Sequence, residues 1–270
     1  MGTMPLDAIT PAHIAEALRP LWIDRHPTSK KICQRISEIM DWAWGLGLIK
    51  ANPVQAVLRV MPKHSHRPIR HPSMPWRDIP SFIAECLDDG ESYDVKKLAL
   101  EFIILTGGRS GEIRGARWEE IDFESATWTI PPERMKAADW HQVPLSDRAL
   151  AILRRQQGGH SEFIFPSVKQ GCLLVGSTFG AFMSKANRAS DIPGRHAVVH
   201  GFRASFRNWC SETGFRRDLS ERALAHSIQN QVEAAYHRTN LLDERRPMMQ
   251  QWADFVSGQR GNVVLLREMR

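Results

Sequence analysis

Apolar residues recur at helical spacing through most of this chain. Thr10-Pro11 introduces Ile14, Leu18 and Leu21, with the threonine placed to cap and the proline at the first helical position, where a missing N–H removes no hydrogen bond. Thr28 or Ser29 is placed to cap a longer helix carrying Ile32, Ile36, Ile39, Met40 and Ala43, stopped by Gly45 and Gly47. Residues 1–60 therefore read as all-helical. Pro62, Pro68, Pro72, Pro75 and Pro80 then remove amide donors at short intervals, which predicts an extended linker over 61–80 and a domain boundary there.

Val95–Leu105 is apolar on nearly every side, as a buried helix must be, and Gly107-Gly108 ends it. Ser110 can cap a short helix carrying Glu112 and Ile113. Between Ile121 and Leu145 the period shortens to two, so Thr127–Ile130 and His141–Pro144 predict strands of a small antiparallel sheet with Lys136 between them. Helical spacing returns after Ser146, with segments expected near 177–189, 200–213, 219–226, 229–237 and 243–256, and a terminal strand at Val263–Leu266. The fold class is mainly α with a small antiparallel β-sheet. Residues 81–270 form the second, larger domain, and no internal repeat or low-complexity tract is visible.

At 42% hydrophobic the chain can bury a sizeable core, yet no stretch approaches the roughly 20 apolar residues of a membrane span. The N-terminus lacks a basic segment followed by an apolar run, so a cytoplasmic protein with no membrane partner is expected. Cys33, Cys86, Cys172 and Cys210 lie far apart without a C-x-x-C pair or a neighbouring histidine, which argues against disulfides and a zinc site. The net charge of +6 suits a polyanionic partner. Its distribution is more telling. From Lys50 to Arg77 there is no acidic residue, while Lys50, Arg59, Lys63, Arg67, Arg70 and Arg77 are basic and His64, His66 and His71 add latent charge. This run is either a strap that tracks phosphates or a solvated linker.

A helix through His200-Gly201-Phe202-Arg203 places His200, Arg203 and Arg207 along one polar face and Phe202, Phe206 and Trp209 on the core side. Two guanidinium groups and an imidazole projected together can clamp an oxyanion, although the same face could simply be solvated. Arg109 stands at a glycine turn ahead of a helix N-terminus, a favourable place for an anion; it could equally be a capping arginine paired with Glu112. Lys136, in a hairpin, can reach into a groove and donate a proton, or only keep the turn soluble. His226 closes Leu224-Ala225-His226, and Tyr236, one of two tyrosines, follows ten residues later; taken alone it reads as a buried structural tyrosine.

The ordered set Arg109, Lys136, His200, Arg203, His226 and Tyr236 resembles the active-site signature of the tyrosine recombinases, in the branch of phage and genomic-island integrases. The surroundings match too: Thr106-Gly-Gly-Arg-Ser-Gly-Glu-Ile-Arg-Gly-Ala-Arg-Trp118, Glu133-Arg-Met-Lys136 followed by His141-Gln-Val-Pro-Leu-Ser146, His200-Gly-Phe-Arg-Ala-Ser-Phe-Arg207, and Val232-Glu-Ala-Ala-Tyr236 ahead of Glu244-Arg-Arg-Pro-Met-Met249. The resemblance is close over 75–258 and looser over 5–60. It implies the family's DNA breaking-rejoining catalytic fold over 81–270, preceded by a partial helical core-DNA-binding domain, with the arm-binding domain expected to be missing. It implies site-specific recombination in which Tyr236 attacks a phosphodiester to leave a 3'-phosphotyrosyl link. Arg109 and Arg203 would neutralise the phosphorane, Lys136 would be the general acid, and His200 the acid/base near the nucleophile. His226 would be a further phosphate donor, and Glu112 a support.

Further implications are no metal and no cofactor, double-stranded attachment-site DNA as partner, and a tetramer on DNA formed from monomers. About 244–270 would be exchanged between neighbours, DNA-bending accessory proteins could join, and the protein would sit with the bacterial nucleoid. Arg59, Lys63, Arg67, Arg70 and Arg207 are the expected DNA contacts outside the catalytic set. Two rivals stay open: strand relaxation of the type IB topoisomerase kind, and a mobile-element fragment that binds DNA without catalysis.

Overall fold

The computed structural model describes residues 3–63, 70–88, 93–167, 172–226 and 240–258. It divides into two compact units, Met1–Ile69 and Arg70–Arg270. In the first, α1 (Pro11–Trp22), α2 (His26–Gly45) and α3 (Val54–Val60) surround Ile14, Leu18, Trp22, Cys33, Met40, Ala43, Val54 and Val57. Thr10 caps α1, its hydroxyl accepting from the His13 amide. The start of α2 differs from the expected cap. The helix begins at His26, because Pro27 fits its first turn and Ser29, fully buried, donates its hydroxyl back to the Arg25 carbonyl instead of capping. Asn52 then organises the start of α3, accepting from the Val54 amide and donating to Asp41.

The second unit is built around α5 (Val95–Thr106), whose residues from Leu98 onward are all buried. A carboxylate on such a helix needs a partner, and Glu101 takes a two-pronged ion pair from Arg148 at 2.6 and 3.1 Å. Three short strands, β1 (Ile121–Asp122), β2 (Thr127–Ile130) and β3 (His141–Pro144), form an antiparallel sheet in chain order, with Trp128 opposite Val143 and Ile130 opposite His141. Helices α7 (Asp147–Gln156), α8 (Thr178–Ala186), α9 (Gly201–Glu212), α10 (Arg217–Ala223) and α11 (Leu242–Val256) complete the described residues, after the short α4 (Ile79–Phe82) and α6 (Ser110–Arg114). Phe206, Trp209 and Trp252 join α9 to α11, and the Trp252 indole N–H donates to the Ile104 carbonyl at 2.8 Å, tying α11 to α5.

The linker expected over 61–80 is shorter than that. Met74, Trp76 and Ile79 point inward and are buried in the second unit's core. The backbone is laced to the loop before α9. The Ser73 amide donates to Asp191 Oδ1 at 2.7 Å, the Asp191 amide to the Ser73 carbonyl at 2.9 Å, and the Val198 amide to the Pro72 carbonyl at 3.1 Å. Pro72 lacks a donor but keeps its carbonyl, so the stretch is held by the two carbonyls that accept and the one Ser73 amide that donates. Gly201 makes the approach feasible: a β-carbon there would lie 2.2 Å from the Pro72 oxygen. The helix expected at 219–226 runs Arg217–Ala223, stopped where Ala225 takes φ 47°. The expected helix at 229–237 and strand at 263–266 lie outside the described residues. Among the described residues no helix is long and apolar enough to cross a membrane.

Candidate active site

The site begins where α5 stops. Gly107 takes φ 64°, a left-handed turn that costs glycine nothing, and leaves its carbonyl facing α9. Two residues on, Arg109 caps α6: its amide donates to Glu112 Oε2 at 2.7 Å and its Nη1 to Glu112 Oε1 at 2.7 Å, while Nη2 reaches the Ala225 carbonyl at 3.3 Å. Capping and site geometry are thus one arrangement. Glu112, 5% exposed, spends both oxygens holding Arg109 in place.

Arg203 departs from the expected polar face. It is only 5% exposed, and its two terminal nitrogens donate to the carbonyls of Gly107 and Leu224. Burial, and then the charge of Arg109, push its pKa down to about 10, against a smaller opposing effect of Glu112; at neutral pH it is still a cation. His200 is the residue before the first turn of α9 and contacts the ring of His71 edge-on, centroids 4.6 Å apart. Burial, followed by the charges of His71, Arg203, Arg109 and His226, lowers its pKa and favours the neutral ring. His226 follows the left-handed Ala225, its Nδ1 2.6 Å from Glu221 Oε2.

The structure therefore brings Arg109, His200, Arg203 and His226 together, with Glu112 behind them. Lys136 stands exposed on the loop between β2 and β3. That loop is fixed by Arg134, which donates to Glu120 and to the Glu112 carbonyl. Tyr236 and Arg67 lie outside the described residues. Arg59, Lys63 and Arg70 are exposed. Arg207 pairs with Glu221 at 2.6 Å.

Three neighbours of the site were not marked by the sequence. Arg134 sits inside the Glu133–Lys136 motif, but its role depends on partners from other elements. Glu221 is an ordinary helix acid until the fold sets it beside His226. His141 reads as the start of a strand, yet burial first, and then the charges of Arg245 and Arg109, lower its pKa to about 4, although Glu112 and the Ala223 carbonyl favour its protonation. A histidine that stays neutral when folded binds fewer protons than when unfolded between about pH 6.5 and about pH 4, so stability falls as pH drops through that window. Urea unfolding near pH 7 and near pH 5 should show the loss, and His141→Gln should shrink it; an unchanged pH dependence in that variant would contradict the assignment.

Two guanidinium groups anchored to carbonyls, with imidazoles beside them, form a preorganised receptor for a tetrahedral or pentavalent anion with several oxygens. Among the described residues, no group of His, Cys, Asp and Glu is arranged to hold a metal ion.

The sequence model of the phage integrase family matches residues 74–241, and that of the phage integrase central domain matches 1–59. The chain belongs to the phage integrase family. It is 38% identical over 242 residues to prophage integrase IntA of Escherichia coli K12, covering 88% of this chain and 57% of that protein. It is 32% identical over 259 residues to the integrase of Enterobacteria phage P4, covering 90% and 58%. The chain thus spans less than two thirds of the length of these integrases. Among solved structures, a lambda integrase dimer bound to a COC' core site matches with TM-score 0.61 at 22% identity, covering 88% of this chain and 82% of that one. The Tn1549 transposon integrase in complex with circular intermediate DNA matches with TM-score 0.58 at 16% identity, covering 92% and 87%. The fold is that of the tyrosine recombinases, a mainly helical catalytic domain with a small antiparallel sheet.

Proposed function

We propose that this chain carries out site-specific DNA recombination, integrating or excising a mobile element through a 3'-phosphotyrosyl intermediate. The observation that carries the reading is the pair Arg109 and Arg203, held by the carbonyls of Gly107, Leu224 and Ala225 and by Glu112 before any ligand arrives. Charge builds on the phosphorane oxygens in the transition state, and cations already desolvated and oriented stabilise it without further reorganisation. The Tyr236 oxygen bonds to phosphorus and passes its proton to His200. The bond to the 5'-oxygen breaks, and Lys136 delivers a proton to that oxygen. His226 donates to a non-bridging oxygen. The phosphotyrosyl bond keeps the energy of the diester, so rejoining needs no nucleotide.

The partner is double-stranded attachment-site DNA, contacted outside the site by Arg59, Lys63, Arg67, Arg70 and Arg207. The assembly is a tetramer on DNA, which exchanges the segment from about 244 to 270, with DNA-bending accessory proteins as further partners and the bacterial nucleoid as location. Related lambda integrase structures, a dimer bound to a COC' core site and a tetramer bound to a Holliday junction, support this assembly.

Incubation with a nicked or phosphorothiolate-bearing duplex tests the reading. A covalent protein–DNA adduct on a denaturing gel is expected from the parent chain, with none from Tyr236→Phe and no effect of EDTA. A folded, DNA-bound chain that yields no adduct would mark a binding-only protein, and an adduct that survives in Tyr236→Phe would remove Tyr236 as nucleophile.

A further inference from the structure

Glu221 makes a contact that the reaction as described does not use. It lies in α10 with its side chain 18% exposed, and its two carboxylate oxygens serve different partners. Oε2 is 2.6 Å from Nδ1 of His226; Oε1 is 2.6 Å from Nη2 of Arg207 and 3.5 Å from Nε of Arg217. The backbone doubles the link, since the His226 amide donates to the Glu221 carbonyl at 3.0 Å. Burial acts to raise the Glu221 carboxyl, but the bond from His226 and the charges of Arg207 and His226, with Arg217 adding a hydrogen bond, leave it below its ordinary value, so it is ionised at neutral pH.

This contact supplies what the local backbone does not. The helix ends at Ala223 and Ala225 turns left-handed, so the His226 ring stands beyond the last turn of α10. An imidazole can rotate and can carry its proton on either nitrogen. A carboxylate on Nδ1 settles both, and leaves Nε2 as the nitrogen facing outward. Arg207, on α9, fixes the carboxylate through its other oxygen.

We propose that Glu221 is a positioning residue for strand cleavage, holding His226 by Nδ1 so that Nε2 meets the scissile phosphate, with Arg207 bracing Glu221 from behind. The inference rests on His226 being a phosphate contact in the proposed reaction.

The test compares adduct formation at saturating duplex by the parent, Glu221→Ala, Glu221→Gln, His226→Ala and the Glu221→Ala/His226→Ala double variant, alongside duplex Kd by fluorescence anisotropy. Glu221→Ala should slow adduct formation about 30-fold and change Kd by less than about threefold, as for an interaction felt in the transition state. Glu221→Gln, whose amide oxygen still accepts from Nδ1, should recover most of the rate. The double variant should be no slower than His226→Ala, because the two residues act as one unit. Independently of catalysis, a slowly exchanging Nδ1–H proton, assigned by its loss in His226→Ala, should be visible by NMR in the parent.

The role of Glu221 is overturned if Glu221→Ala cleaves at the parental rate, if the two single losses multiply, or if Glu221→Gln is as slow as Glu221→Ala. Absence of the Nδ1–H proton from the parent spectrum overturns it without recourse to any variant. A parent that forms no adduct overturns the recombinase reading itself, and with it the reaction Glu221 would serve, whereas an active parent with an indifferent Glu221 counts against Glu221 alone.

Discussion

Arg203→Ala is expected to form the covalent adduct about a thousandfold more slowly than the parent, roughly 4 kcal/mol of lost transition-state stabilisation, with duplex affinity within about threefold. The guanidinium is nearly buried, so it adds little to the long-range attraction that dominates DNA affinity, yet in the proposed reaction it stands where phosphorane charge develops. The substitution has a second effect. Arg203 ties the Gly107 turn to the Leu224 turn, and its loss leaves two carbonyls without their donor, at about 1–3 kcal/mol each where they stay dry. Arg203→Lys separates the two. It keeps the charge but cannot fork to both carbonyls, and should retain part of the stability while still cleaving about a hundredfold slower. Adduct rates at saturating DNA and urea midpoints on all three proteins decide the matter; full activity in Arg203→Lys would show that charge alone suffices.

Gly201→Ala is expected to destabilise the second unit by about 2 kcal/mol or more and to slow cleavage about tenfold or more, although no functional atom is removed. The added carbon would lie 2.2 Å from the Pro72 oxygen and 2.8 Å from the Ser73 Cα. That backbone cannot easily retreat, because the Val198 amide and both hydrogen bonds with Asp191 hold it. Alanine's better helix propensity returns at most about 1 kcal/mol. The strain falls beside His200 and the His71 ring that packs on it. Urea unfolding and adduct rates check both effects, and a variant as stable as the parent would show that the two segments separate at no cost.

The elements that could be read from the chain were those whose pattern reflects a single environment. The unbroken apolar run of α5 and the alternation of β2 each have one explanation. The segment before α4 does not. Its prolines suggest a linker, while Met74, Trp76 and Ile79 carry the opposite message and matter only once the loop before α9 offers donors to the Pro72 and Ser73 carbonyls. The site divides in the same way. Arg109, His200 and Arg203 could all be marked as candidates, but the polar face expected for Arg203 is wrong, because a cation buried on backbone carbonyls leaves no mark on its neighbours in sequence. Glu221, Arg134 and His141 acquire meaning only from residues distant along the chain.

The lacing of residues 72–74 to the loop before α9 also sets where the molecule can be divided. A fragment cut at the last proline, Pro80, would discard Met74 and Trp76 from the core, leave the Val198 and Asp191 amides without their acceptors, and strip His200 of its neighbouring ring. The smallest self-sufficient form of the second unit therefore starts at or before His71. Its leading residues belong to the fold of that unit and not to the connector, so a change in connector length leaves the second unit intact only when it is made upstream of His71.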